Sequence, residues 1–194
     1  MKLCGLTGGV GMGKSTAAGF LLAAGARVVD TDDIAHELVQ PGQPALAEIA
    51  EVFGTGVLAA DGTLQRKELA KMVFSDSTAR QKLEGILHPR IRERWQAQAA
   101  MWRQEGCKIG VVVIPLLFET HAEGSFDKII CMACSPESQR ERLAMRGWTP
   151  EQASQRIAAQ MPVEQKMARA HYVIWTEGVK EVSERQIGEI LKGI

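Results

Sequence analysis

Lys14, Ser15 and Thr16 set an ammonium and two hydroxyls directly after Gly8-Gly9-Val10-Gly11-Met12-Gly13, a run in which four of six residues are glycine. Glycine reaches backbone angles closed to other residues, so such a run can turn successive main-chain N–H groups inward upon one anion. The spacing Gly8-x-x-x-x-Gly13-Lys14-Ser15 is that of a phosphate-cradling loop. In such a loop the lysine bridges β- and γ-phosphates as a mobile point charge and the hydroxyl holds Mg²⁺. Gly9, Gly11, Met12, Gly13, Lys14, Ser15 and Thr16 are thus the expected polyphosphate contacts, Ser15 the expected metal ligand and Mg²⁺ the expected cofactor. The bland alternative is a glycine-rich turn with a solvated lysine, and the flanking strand and helix argue against it.

Kinases, GTPases and motor ATPases share this loop, but neither an N-K-x-D element nor a D-x-x-G switch is present to read guanine. A carboxylate can serve an attacking hydroxyl, and Asp30-Thr31-Asp32-Asp33 closes the second β-branched run. Asp32 there can orient an attacking hydroxyl and take its proton, worth roughly 10²–10⁴-fold. On spacing alone, a helix-capping role for Asp32 or Thr31 before IAHELV accounts for the residues equally well. Asp30 or Asp33 can fill whichever role Asp32 does not. Arg140, Arg142 and Arg146 fall on one predicted helix, Arg142 and Arg146 sharing a face at i, i+4 while Arg140 points elsewhere. One or two of them are expected to close over the nucleotide; for any single arginine a solvated surface role competes.

These groups require a scaffold that brings loop ends to one edge. Short apolar or β-branched runs at 2–7, 27–30, 109–114, 128–134 and 172–175 read as five strands, with a helix after Ser15 closed by Gly25. Strands alternating with helices imply an α/β fold, a mostly parallel sheet with helices on both sides. Nearly eighty residues separate the second and third strands, enough for an inserted helical lobe. Its punctuation is Pro41-Gly42, Asp61-Gly62-Thr63, Ser75-Asp76 and His88-Pro89, each read as a break between helices or turns. After the fourth strand, Ser135-Pro136 and Thr149-Pro150 each offer an N-cap with proline at the first helical position, and Gln152 completes a capping box. Segment 136–169 carries six basic against four acidic side chains. Ile187, Ile190, Leu191 and Ile194 form one core-facing stripe of a closing helix.

With 194 residues, 45% of them hydrophobic, the chain can bury one substantial core. Its 23 basic and 23 acidic residues cancel, so no nucleic-acid or membrane partner is expected. The longest apolar run, 109–118, is half a membrane span, and a soluble, cytoplasmic protein is expected. Cys4, Cys107, Cys131 and Cys134 make no disulfide framework, and the lone Cys131-x-x-Cys134 is read as buried rather than as a redox or zinc pair. No oligomeric state is read from the sequence.

GLTGGVGMGKST, VVDTDDIAHELVQPGQPAL, DGTLQRKEL, LEGILHPRI, IPLLFET and SPESQRERLAMR, in this order and spacing, make the chain resemble the dephospho-coenzyme A kinase family over nearly its whole length. The resemblance implies a transferase that uses ATP to phosphorylate the 3′-hydroxyl of dephospho-coenzyme A. It also implies a P-loop NTPase-type core of five parallel strands at 1–30, 107–135 and 170–194, a helical coenzyme A-binding lobe at 31–106 and a helical lid at 136–169. Asp32 falls on the family's proposed base. By the same carry-over Arg66, His88, Pro89, Leu116 and Leu117 border the acceptor pocket, and Arg140 and Arg146 belong to the lid, Arg140 among the catalytic groups with Lys14. The bland readings are a helix break at His88-Pro89 and a core plug at 115–118.

Three single positions and one turn depart from the family pattern. Met12 replaces a serine, its N–H still expected to face phosphate. Val113 replaces an aspartate that would hold Mg²⁺ through water, an end Asp32 is expected to serve. Trp175-Thr176-Glu177-Gly178 replaces an asparagine-containing turn near adenine, and His171 replaces an aspartate. Two rival readings are a kinase for another small hydroxyl compound or nucleotide, and a nucleotide-binding module without transfer activity.

Overall fold

The computed structural model describes the backbone of residues 1–194 and the side chains of all but Phe74 and Ser75. The chain divides into two units, Met1–Asp30 with Ala99–Ile194, and Thr31–Gln98.

The first unit is built on five parallel strands, β1 (Lys2–Gly8), β2 (Arg27–Asp30), β3 (Ile109–Val113), β4 (Lys128–Ala133) and β5 (Tyr172–Trp175), in the order β2-β3-β1-β4-β5. Register pairs Leu6 with Val113 on one side and with Ile130 on the other. The central strands are apolar at consecutive positions because both faces are covered. Cys4 and Leu6 pack with Val111, Ile130, Met132 and Ile174 against Ala17, Leu21 and Ile187 of the two flanking helices, α1 (Lys14–Ala23) and α9 (Lys180–Lys192). On the opposite face Leu117 and Phe126 close over the space that a side chain at Gly5 would need.

Local signals end these elements where the sequence places them. Helix α1 stops in a Schellman turn: Gly25 has φ 88°, Ala26 N–H bonds Leu21 O at 3.0 Å and Gly25 N–H bonds Leu22 O at 3.0 Å. After β4 come α6 (Pro136–Met145), α7 (Pro150–Ala158) and α8 (Val163–Arg169). Ser135 caps α6, accepting from Ser138 N–H at 3.2 Å, and Thr149 with Gln152 forms the full capping box on α7. Ile190, Leu191 and Ile194 pack with Ile187 as the stripe requires. His171 has a use: its Nδ1 accepts from Ile129 N–H at 3.1 Å while its own N–H donates to Ile129 O at 2.9 Å. The ring nitrogen Nδ1 is thus an acceptor at this sheet position.

The second unit holds α2 (Thr31–Leu38), α3 (Pro44–Phe53), α4 (Arg66–Ser75) and most of α5 (Ser77–Gln104). Ile34, Leu38, Leu46, Ile49, Val57, Leu69, Ile86 and Trp95 are buried there. Asp61-Gly62-Thr63 is a tight turn, its Asp61 Oδ1 accepting from Thr63 N–H at 3.0 Å beside the antiparallel Leu58–Leu64 bridge.

One break is overturned. His88-Pro89 interrupts nothing: α5 runs through both, with Pro89 inside it. Proline removes one bond, to the Gly85 carbonyl four residues back, at a cost of about 3 kcal/mol. Burying Ile86 and Trp95 on either side stabilises the continuous helix by at least as much, at ~1.5–3 kcal/mol for a large apolar side chain. Arg90 adds a bond from Nη1 to Ile86 O at 2.7 Å.

No helix among the described residues is long and apolar enough to cross a membrane. Cys131 and Cys134 are free and buried, burial pushing the Cys131 thiol up to about 11. Among the described residues no group of three or more His, Cys, Asp or Glu gathers to hold a metal ion.

Candidate nucleotide site

The glycine loop joins β1 to α1, so it lies at the carboxyl edge of the central strand, where a parallel sheet opens its ligand crevice. Gly8 has φ 141°, and a Cβ on it would stand 2.3 Å from Met132 O, so only glycine fits between the strands at the start of the loop. Gly11 and Gly13 have φ 77° and 89°. Lys14 folds back over the loop it follows, its Nζ donating to Gly8 O and Gly9 O at 3.0 Å each. The first turn of α1 carries no acidic residue, and its positive end faces the loop. Ser15, second in α1, is exposed and presents one hard oxygen of the kind Mg²⁺ accepts beside water and phosphate. Val113 is fully buried and offers no such oxygen.

Met12 departs from expectation. Its N–H donates inside the loop to Gly9 O at 3.2 Å, and its side chain is 2% exposed, packed into the core under the loop.

A cavity of about 460 Å³ adjoins the loop, lined among others by Gly11, Thr16, Phe20, Arg142, Arg146 and Thr176. That volume is in the range of small-ligand sites. Arg142 is fixed there by Thr176, donating to its hydroxyl at 2.8 Å and to its carbonyl oxygen. Thr176 is in turn held to the end of β4, its N–H donating to Ala133 O at 2.8 Å. Arg146 lines the same cavity from the C-terminal end of α6. Arg140 is not among the lining residues; it is largely exposed and pairs with Glu137 at 3.2 Å.

The turn after β5 is buttoned to α6. Glu177 Oε1 accepts from Ser135 N–H at 2.9 Å and Ser138 Oγ at 3.0 Å, and Oε2 accepts from Trp175 Nε1 at 2.9 Å. Hydrogen bonds from Ser135, then from Trp175, hold its carboxyl down at about 2, against an ordinary 4.5. Because the folded value is depressed, the contribution is whole above pH 4.5 and fades as the pH falls toward 2. Glu177→Gln is therefore expected to lower the urea midpoint at neutral pH, with the gap to wild type closing across that window. A gap independent of pH would refute the assignment.

Following β3, Leu117 is fully buried beneath the sheet face while Leu116 is half-buried, so of the two only Leu116 presents surface. Pro115 O accepts from Thr7 Oγ1 at 3.3 Å and from Lys166 Nζ at 2.6 Å, and Lys166, itself fully buried, pairs with Glu119 at 2.8 Å. The second unit carries Asp32, exposed at the second position of α2, Arg66, exposed at the first position of α4, and His88 and Pro89 along α5. Thr31 is already helical, so neither it nor Asp32 occupies the capping position before α2. Sequence reasoning named the turn with Thr176 and Glu177 but not their roles, and missed Lys166, because the partners Arg142, Ser135 and Glu119 are remote in sequence. It also missed Gln139, buried on the stripe of α6 that holds Leu143, where a polar residue four positions before a leucine was the one available signal.

Comparison with known proteins adds the following. Residues 2–181 match the family model described as dephospho-CoA kinase. The dephospho-CoA kinase of Bdellovibrio bacteriovorus is 39% identical over 192 residues, 99% of this chain and 96% of that one. A Thermus thermophilus crystal structure superposes with a TM-score of 0.86 at 31% identity, covering 100% of this chain and 97% of the other. The dephospho-CoA kinase from Campylobacter jejuni superposes with a TM-score of 0.73 at 25% identity, covering 98% and 95%.

Proposed function

The chain belongs to the dephospho-CoA kinase family, and from this premise we propose how its own residues carry the family's reaction. ATP phosphorylates the 3′-hydroxyl of dephospho-coenzyme A, giving coenzyme A and ADP, the last step of coenzyme A biosynthesis. The observation that carries the residue assignment is Lys14 folded over a glycine loop whose Gly11, Gly13 and Thr16 line the cavity shared with Arg142 and Arg146.

ATP lies with its phosphates in the loop from Gly9 to Thr16 and its nucleoside in the cavity. The acceptor's 3′-oxygen attacks the γ-phosphorus as the bond to the β–γ bridging oxygen breaks, and ADP leaves with that electron pair. The hydroxyl proton passes to the Asp32 carboxylate. Lys14 turns from the two glycine carbonyls to the β- and γ-phosphate oxygens and balances the charge that accumulates there. The Ser15 hydroxyl would hold Mg²⁺, which when bound would supply further charge neutralisation there. Arg146 closes the cavity from the lid, segment 136–169; Arg140 is assigned to the lid by family likeness alone. The helices of residues 31–106 are assigned to the coenzyme A lobe, and Arg66, His88, Pro89 and Leu116 to the acceptor, by family likeness.

The test is ADP release in Mg-ATP with a panel of acceptors. Release that depends on dephospho-coenzyme A is expected. Dependence on a sugar, shikimate or nucleotide instead, or nucleotide binding without turnover, would overturn the reading.

A further inference from the structure

The tip of the phosphate loop is held from outside by two glutamines. Gln139 of α6 donates from Nε2 to Val10 O at 2.8 Å, and Val10 N–H donates to Oε1 of Gln160, just past α7, at 2.9 Å. Both main-chain groups of one residue in the middle of the loop are thereby taken by side chains from the two ends of the α6–α7 pair. The amide orientations are forced, since a carbonyl needs the NH₂ and an N–H needs the oxygen.

Neither side chain hangs loose. Gln139 is 6% exposed and Leu143 on the same stripe is buried, so its aim is set by packing. Gln160 is followed by Met161, whose N–H donates to Glu119 Oε1 at 2.8 Å, the oxygen that pairs with buried Lys166. The backbone that carries Gln160 is therefore pinned to the loop after β3, the loop that presents Leu116. A glycine-rich segment has much backbone freedom to lose when it wraps an anion. The clasp removes that freedom beforehand and occupies the Val10 N–H, so phosphate is left to other main-chain N–H groups of the loop.

We infer that Gln139 and Gln160 are positioning residues for phosphoryl transfer: they pre-form the phosphate loop by holding Val10 between them. This rests on the reading of the loop as the ATP site. Losing one such bond is expected to raise the KM for ATP roughly fivefold, with kcat much less affected.

The experiment compares wild type with Gln160→Met, similar in size but without the acceptor, and Gln160→Glu, which keeps it. Val10 amide exchange in the nucleotide-free enzyme is expected to be slow in wild type and Gln160→Glu and fast in Gln160→Met, which also shows the raised KM. Gln139→Met, which removes the bond on the other side, is the second variant and is expected to raise the KM likewise. If the methionine variants lower only the melting temperature, leaving Val10 exchange and the KM for ATP unchanged, the residues merely pack and the inference fails. A wild type without ATP turnover would instead sink the reading of the site, while the exchange measurement would still judge the clasp.

Discussion

Lys14→Met is expected to lower kcat by roughly 10²–10³-fold or more, the scale on which a single preorganised charge donor acts in a transition state. The ammonium is already placed, 3.0 Å from Gly8 O and Gly9 O, so reaching the β- and γ-phosphate oxygens asks only that it exchange one set of acceptors for another. Methionine keeps the length of the stem and removes both functions at once. The loop loses its internal bonds and the transferring phosphoryl loses its counter-charge, so the KM for ATP should rise as kcat falls. Lys14→Arg is expected to rescue little, since a planar fork cannot take the place of a compact point charge above two converging carbonyls. ADP release in the presence of dephospho-coenzyme A reads the loss, and circular dichroism checks that the variant is folded. Activity within tenfold of wild type would remove Lys14 from the machinery.

Asp32→Asn is the second large effect. A carboxylate that accepts the acceptor's proton contributes roughly 10²–10⁴-fold, and asparagine keeps the shape while losing the basicity. The KM for ATP is expected to stay near wild type, because the nucleotide contacts proposed above are those of the loop and the cavity. Steady-state kinetics with ATP and dephospho-coenzyme A varied in turn separate the two parameters. Equal losses in kcat and ATP affinity would point to a metal-holding role instead. The helix gives this prediction its clarity: with Thr31 already in α2, a change at Asp32 does not remove the N-cap.

Much of the architecture was legible because its signals are local. The central strands show as consecutive apolar residues, which a sheet covered on both faces demands, and the structure returns the edge strands β2 and β5 with the expected bounds. Ser135, Thr149 with Gln152, and Gly25 announce helix ends through hydrogen bonds made within a few residues, so the letters alone suffice. Pro89 shows the limit of such rules. Its local cost is real, but the burial of Ile86 and Trp95 outweighs it, and that burial is set by residues far off in the chain. Met12 is similar: the core under the loop, rather than the loop pattern, takes its side chain.

By itself the sequence determined the phosphate loop, the alternation of strands and helices, the inserted segments and the family, since each is written in short-range spacing or in long runs of matching residues. Only the tertiary structure decided that Arg142 is held by Thr176, that Glu177 buttons the last turn to α6, that Leu117 sinks while Leu116 stays at the surface, and that two glutamines grip Val10. The physical reason is common to all four. A side chain's partner is fixed by where packing brings remote backbone, and a glutamine or threonine has the same donors and acceptors whether or not anything is there to meet them.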